Sequence, residues 1–139
     1  MTRRANVHAP ELACVPLVGW RIVADPSVLD HVRWPKGSMA VRISPDDVFL
    51  IGAAEPSVTA DAHAIVTPEH GFAGIDLSAA EVIAIAEQHI EWELPSQLPA
   101  LAQGQVAGVP AKLVRHADGS ALLLVACAAS NELVDRLNR

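Results

Sequence analysis

The sequence predicts an α+β fold built from two β-α-β-β halves, the second of which ends in a further helix. Three observations support this prediction: a strong hairpin signal near the C-terminus, a similar hairpin in the first half, and a helix-start motif between them. Strands joined by tight turns pair antiparallel, and helices cover the sheet that they form. We therefore expect a mainly antiparallel sheet with helices on one face.

The C-terminal hairpin is predicted from Asp118-Gly119, which stands between two apolar runs within Gly104–Ala128. Asp-Gly is a strong hairpin signal because glycine accepts the positive φ that such turns need, so we expect positive φ at Gly119. The second run, Leu122–Val125, is apolar on both faces. That pattern is typical of a strand that is covered on both sides.

The stretch Ala40–Ala53 has the same form, an apolar run with an arginine, a polar turn and a second apolar run. In this comparison Val41-Arg42 corresponds to Val114-Arg115, and Phe49–Ile51 corresponds to Leu122–Leu124. Two such hairpins indicate a two-fold repeat within one domain, although similar patterns also arise by chance in β-rich chains.

The first half opens with a candidate strand at Cys14–Ala24, where Pro16 indicates a sheet edge or a strand start. A short helix follows. Asp25 suits its N-cap, and Pro26 suits its first position, where a missing amide donor costs no hydrogen bond.

The main helix is predicted at about 79–91. Ser78 and Glu81 form an S-x-x-E capping box, which satisfies two free amide donors at a helix start, and Pro95 ends the run. The β-branched residues within 81–85 would also suit a strand, so the sequence leaves that alternative open.

The remaining segments complete the order of elements. Residues 63–66 and 72–77 are short strand candidates, and residues 95–104 read as a connection with two prolines. Gly104–Pro110 is interpreted as a bulged or edge strand that lets another backbone approach closely. A C-terminal helix follows, with Ser130 as its cap.

Length and composition limit the kinds of protein to which this chain can belong. A length of 139 residues fits one domain, and we predict a single α+β domain at 10–139 after a mobile tail at 1–9. The net charge of −6 argues against nucleic-acid binding, which needs a basic footprint. No apolar run approaches the ~20 residues of a membrane span, and the N-terminus lacks the apolar core of a signal peptide. We therefore expect a cytoplasmic protein that does not bind membranes, with Cys14 and Cys127 as reduced, inert thiols.

Three stretches resemble one protein family. Ile43–Gly52 resembles the "GPDEWLL" hairpin of the gamma subunit of heterotetrameric sarcosine oxidase. Gly71–Ser78 is similar to the strand ending in Asp-x-Ser in that subunit and in the folate-binding domain of aminomethyltransferase, the glycine-cleavage T-protein. Ala100–Leu137 looks like the closing strand-strand-helix unit of the same superfamily.

The resemblance implies a folate-binding-domain-like fold and a non-catalytic subunit that packs against redox partners. It implies no flavin, nicotinamide or folate site. One departure concerns the segment after Asp-x-Ser, which in the superfamily is a strand followed by a helix. Here the capping box starts a helix directly, and residues 79–103 leave little room for both elements.

The His/acid cluster that could converge comprises Glu69, His70, His89 and Glu91, with Trp92 beside it. His and carboxylate ligands suit zinc or non-haem iron, but the spacing matches no metal motif. On a helix, residues two apart face different ways. We therefore predict scattered histidines, and we expect no metal and no cofactor.

Trp92 lies between Glu91 and Glu93. The three residues could line a pocket for a cationic or amine ligand, which would contact the face of the indole ring. The alternative is a tryptophan that anchors the core while its acidic neighbours are solvated. We favour the alternative because large aromatic side chains are usually buried.

Two hypotheses for function follow. The first is a non-catalytic accessory or oligomerising module that binds itself as a homodimer or binds an oxidoreductase subunit. Its support is the family resemblance and the low charged fraction of 19%, which leaves apolar surface for an interface. The second is a small enzyme or metabolite-binding protein, which requires the His, Glu and Trp side chains named above to converge on one concave site.

Overall fold

The computed structural model describes residues 11–139, so the tail predicted at 1–9 lies outside the described residues. The strands are β1 Val15–Pro16, β2 Gly19–Val23, β3 Met39–Ser44, β4 Asp47–Ile51, β5 Ile65–Glu69, β6 Phe72–Leu77, β7 Ala100–Val106, β8 Val109–Arg115 and β9 Ala121–Ala126. The helices are α1 Pro26–Leu29, α2 Ala79–His89 and α3 Ser130–Leu137, which follows a 3₁₀ turn at Cys127–Ala129. None of these helices is long and apolar enough to cross a membrane.

The strands form two sheets. The first sheet has the order β1-β6-β9-β8-β7 and the second has the order β3-β4-β2-β5, with every neighbouring pair antiparallel. The predicted α+β class and the antiparallel pairing are therefore confirmed. The sequence did not show that the strands divide between two sheets, with α2 and α3 on the outer face of the first and α1 on the outer face of the second.

The core lies in three layers. Val82 of α2 and Leu133 of α3 pack against the outer face of the first sheet, and Leu29 of α1 packs against the outer face of the second. Val41 and Phe49 of the second sheet meet side chains of the first sheet in the layer between them.

Strand β9 is covered on both faces, as its apolar run predicts. Leu122 and Leu124 lie in the layer between the sheets, whereas Leu123 and Val125 lie under the helices. All four side chains are buried.

The two-fold repeat is visible in the order of the strands. In the second sheet β3-β4-β2-β5 are neighbours, and in the first sheet β8-β9-β6-β1 are neighbours in the same arrangement, with β7 added at the edge. Ile51 lies opposite Gly19 at the start of β2, and Ala126 lies opposite Phe72 at the start of β6. The structural alignment of the two halves therefore differs by two residues from the alignment that the sequence match gave. A shift of two residues along a strand keeps each side chain on the same face.

At the start of each half, the chain passes from one sheet to the other between two successive strands. β1 belongs to the first sheet and β2 to the second, whereas β5 belongs to the second and β6 to the first. The Gly52 amide donates to the Val18 carbonyl at one crossing (3.0 Å), and the Cys127 amide donates to the Gly71 carbonyl at the other (2.8 Å). The predicted single strand Cys14–Ala24 is thus wrong, because a continuous apolar run carries no signal for such a crossing.

The predicted edges and turns agree well with the structure. Pro16 lies in the edge strand β1, and Gly119 adopts φ +88° in the turn between β8 and β9. Asp25 is the N-cap of α1, where its carboxylate accepts from the Ser27 amide (2.9 Å). Hydrogen bonds from the hydroxyl and the amide of Ser27 lower the pKa of Asp25.

Helix α2 begins at the predicted capping box. The Glu81 amide donates to the Ser78 hydroxyl oxygen (3.1 Å), and the Ser78 amide donates to the Glu81 carboxylate (2.9 Å). The helix confirms the preferred prediction over the strand alternative.

For α3 the expected cap was wrong, because Ala129 precedes the helix and Ser130 is its first residue. The Ser130 hydroxyl donates to the Cys127 carbonyl.

We expect Ser78→Ala to lower the free energy of unfolding by about 1 kcal/mol, because the amide of Glu81 loses its acceptor. Urea denaturation followed by circular dichroism measures this loss. Ser96→Ala is the matched control, since Ser96 is exposed in a loop and surface changes of this kind are usually near neutral. Equal effects of the two variants would contradict a stabilising role for the cap.

Candidate functional site

A cavity of about 490 Å³ lies where the C-terminal end of α2 meets the turn between β7 and β8. We call it the α2-end pocket. Its volume falls within the range of small-molecule sites. The residues that line it are Gln88, His89, Glu91, Trp92, Gln105, Ala107 and Gly108.

The turn is held in place by one backbone hydrogen bond and one hydrogen bond from a side chain. The Ala107 amide donates to the His89 carbonyl (2.9 Å), and the Arg136 guanidinium donates to the Ala107 carbonyl from the other side (2.6 Å). Ala107 and Gly108 adopt φ +51° and +78°, which are the values of a two-residue hairpin turn with positive φ at both positions. This wall of the pocket is therefore held by both α2 and α3.

Trp92 packs against the edge strand β7. Its indole N–H donates to the Gln105 carbonyl (2.9 Å), and a Cβ atom on Gly104 would lie only 2.5 Å from the indole Nε1. The close approach expected at Gly104 is thus real, but the approaching group is an indole ring and not another backbone. Trp92 also packs against the core, so it both anchors the core and lines the pocket.

His89 brings an unpaired nitrogen to the pocket. Its Nε2 atom is buried and has no hydrogen-bond partner among residues 11–139. Buried polar atoms in proteins are nearly always hydrogen-bonded, and an unpaired one costs about 1–3 kcal/mol. A ligand would reach this buried nitrogen only after a rotation of the His89 ring.

The charge of the pocket comes from a carboxylate and a helix end. Glu91 lines the pocket, and the described lining residues include no Lys and no Arg. The C-terminal end of α2 adds partial negative charge from its free carbonyl groups. Arg136 is not a lining residue but lies beside Gly108, and its guanidinium is paired with Glu132. The pocket therefore presents negative rather than positive charge.

Glu69 and His70 lie apart from this pocket and do not line it. The Glu69 carboxylate accepts from the Arg21 guanidinium (3.0 Å), which also donates to Asp47 (2.7 Å). The hydrogen bond with Asp47 raises the pKa of Arg21, so this group stays charged. The His70 carbonyl accepts from the Cys127 thiol (3.5 Å). The structure thus brings three of the five predicted side chains together and leaves two at the edge strand of the second sheet.

Neither a metal site nor a reactive thiol is apparent in the part of the chain that the structure describes. That part contains no group of three or more His, Cys, Asp or Glu side chains that could hold a metal ion. Cys14 and Cys127 are free and half-buried. Burial, followed by the nearby Cys127, raises the pKa of Cys14, which disfavours the nucleophilic thiolate. The expected absence of metal remains a prediction for elemental analysis.

Sequence reasoning missed four lining residues: Gln88, Gln105, Ala107 and Gly108. One signal was present, because Ala107-Gly108 between two valines fits a two-residue hairpin turn. The two glutamines carry no comparable signal, since their position depends on how the helix end meets β7.

Comparison with solved structures finds a likeness in fold, whereas comparison of sequences finds none. No family model matches the chain, and no curated protein matches it in sequence. Among solved structures, it is similar to a chain of the heterotetrameric sarcosine oxidase from Corynebacterium sp. U-96, determined in complex with pyrrole 2-carboxylate. The TM-score is 0.68 at 13% sequence identity, and the match covers 91% of this chain and 80% of that chain. At this identity the likeness shows that the two chains share a fold.

Proposed function

We propose that the chain is a non-catalytic accessory or oligomerising module that acts in the cytoplasm, with residues 10–139 as one domain. Its partner is an oxidoreductase subunit or a second copy of the chain, in the manner of the sarcosine oxidase gamma subunit. The observation that carries the proposal is the fold shared with a chain of a heterotetrameric oxidase over nearly the whole length.

The contact surface that we propose is the β1 edge surface, which consists of Val15, Pro16 and Val18. The exposed fractions of Val15 and Val18 are 58% and 57%, and Pro16 is exposed beside them. Exposed apolar clusters mark interaction sites more often than isolated apolar residues do. Because Pro16 has no amide donor, the partner contacts this edge through side chains rather than by adding a strand.

We expect Val15→Lys combined with Val18→Lys to abolish association. Light scattering behind a sizing column measures the homodimer, and a tagged chain recovered from cells that express it naturally captures the oxidoreductase subunit. Ile83→Lys is the matched control, because Ile83 is 51% exposed on α2 and is not part of the β1 edge surface. A chain that stays monomeric and captures no oxidoreductase subunit would refute the accessory function. Loss of association in the Ile83 variant alone would place the interface on α2.

A metabolite-binding function is the second candidate. Its support is the convergence of His89, Glu91 and Trp92 on the α2-end pocket, with His89 Nε2 unpaired among the described residues. Ligand-induced shifts of the Trp92 indole signal in nuclear magnetic resonance spectra test it. The two functions are compatible, because the pocket and the β1 edge surface share no residue.

A further inference from the structure

We propose that the α2-end pocket binds a small organic cation, such as a quaternary or alkyl ammonium group. The proposal rests on the second candidate function above and adds the chemical class of the ligand.

The charge of the lining selects for a cation. Glu91 supplies a carboxylate, and the C-terminal end of α2 supplies partial negative charge. The neighbouring cation Arg136 is already paired with Glu132 and donates to the Ala107 carbonyl, so its charge is compensated by Glu132. An anion in the pocket would face this negative charge without a cationic lining residue to bind it.

Trp92 gives the pocket an aromatic surface of the kind that binds cations. Cations bind over the face of an aromatic ring, and tryptophan is the most favourable of the three aromatic side chains. The indole N–H is occupied by the Gln105 carbonyl (2.9 Å), and the ring is fixed against Gly104. The ring is therefore positioned before a ligand arrives, which lowers the entropy lost on binding.

His89 and Glu91 complete the recognition of a cation that carries N–H or O–H groups. His89 Nε2 is buried and unpaired among residues 11–139, and in the tautomer protonated at Nδ1 it accepts a hydrogen bond. An alkyl ammonium group can donate to the Glu91 carboxylate while its carbon atoms lie over the Trp92 ring, and it can donate to His89 Nε2 once a rotation of the His89 ring exposes that atom. The volume of about 490 Å³ accommodates a ligand of this size.

Three probes of similar size and different charge test the ligand class. They are tetramethylammonium, which is cationic, tert-butanol, which is neutral, and pivalate, which is anionic. Each is titrated into the ¹⁵N-labelled full chain, and the Trp92 indole and Gly108 amide signals are followed. Trp92→Phe assigns the indole signal. We expect tetramethylammonium to bind about tenfold more tightly than tert-butanol, and pivalate to bind more weakly than either.

Glu91 and Glu93 provide a matched pair of variants, because both are exposed next to Trp92 and only Glu91 lines the pocket. We expect Glu91→Gln to weaken tetramethylammonium binding about threefold and to leave tert-butanol binding unchanged. Glu93→Gln should change neither. Equal weakening by the two variants would overturn the assignment of Glu91, since it would show only a general effect of net charge.

The probes also separate the ligand class from the existence of a site. If the shifts of the Trp92 signal show that tert-butanol or pivalate binds more tightly than tetramethylammonium, the cation assignment is wrong while a binding site at the pocket stands. If no probe shifts the Trp92 or Gly108 signals up to its solubility limit, both the cation assignment and the metabolite-binding function are refuted.

Discussion

Phe49→Ala is expected to lower the free energy of unfolding by about 3–5 kcal/mol. Phe49 is fully buried between the two sheets, and its ring centroid lies 4.8 Å from that of Phe72. Its side chain also packs with Leu122 and Leu124 of the first sheet. Removing the ring therefore leaves a cavity in the layer of side chains between the two sheets. Urea denaturation followed by circular dichroism measures the loss.

Phe49→Leu is the control for this prediction, because leucine keeps most of the apolar volume. We expect it to cost about 1–2 kcal/mol, well below the alanine variant. A loss below about 1 kcal/mol for Phe49→Ala would contradict the packing of the sheets described above, since a buried Phe→Ala change normally costs several times more.

The second large effect is expected at Gly19, where Gly19→Ala should destabilise the fold by about 3 kcal/mol. A Cβ atom at this position would lie 2.2 Å from the Leu50 carbonyl oxygen and 2.8 Å from Phe49 Cε1. The carbonyl belongs to β4, which is paired with β2 along its whole length, so it cannot move away without disturbing the ladder. The midpoint and slope of urea denaturation give the change in free energy.

Gly71→Ala is the matched control for the second variant. The nearest atom to a Cβ at Gly71 is a Glu69 carboxylate oxygen at 3.4 Å, at the end of a side chain that can adjust. We expect a change within about 0.5 kcal/mol. Similar losses for both glycine variants would contradict the close approach to Leu50 as the cause, since Gly→Ala without such a contact restricts the unfolded chain and does not destabilise the fold.

The elements that the sequence predicted well are those whose signals are local. The capping box at Ser78 and Glu81 fixes the start of α2, and Asp118-Gly119 fixes the turn before β9. The run Leu122–Val125 shows burial on both faces directly, because both sets of alternating side chains are apolar. Each of these features is decided by residues within one element.

Other elements depend on contacts distant in the chain. Residues 95–104 were interpreted as a connection, yet Ala100–Val106 forms β7 through seven paired positions with β8. Its Ala, Gln and Gly residues have low strand propensity, so pairing with a neighbour overrides the local preference. The crossing between β1 and β2 is hidden for a similar reason, since both strands lie in one apolar run.

The candidate site was predictable only in part. His89, Glu91 and Trp92 are close in sequence and stay close at the end of α2. Glu69 and His70 also carry suitable groups, but β5 lies at the edge of the second sheet, where Glu69 pairs with Arg21. Which sheet a strand joins is a property of the whole fold, so no spacing rule could separate the two groups.

The crossing strands make the two halves of the chain depend on each other during folding. β1 completes the sheet built mainly by the second half, and β5 completes the sheet built by the first half. A chain cut between β4 and β5 would give two fragments that each lack a strand supplied by the other. Two copies of one half could exchange strands in the same way, as domain-swapped dimers do. The intact protein therefore contains within one chain the arrangement of a strand-exchanged pair, and its sheets close only after contacts far apart in sequence have formed.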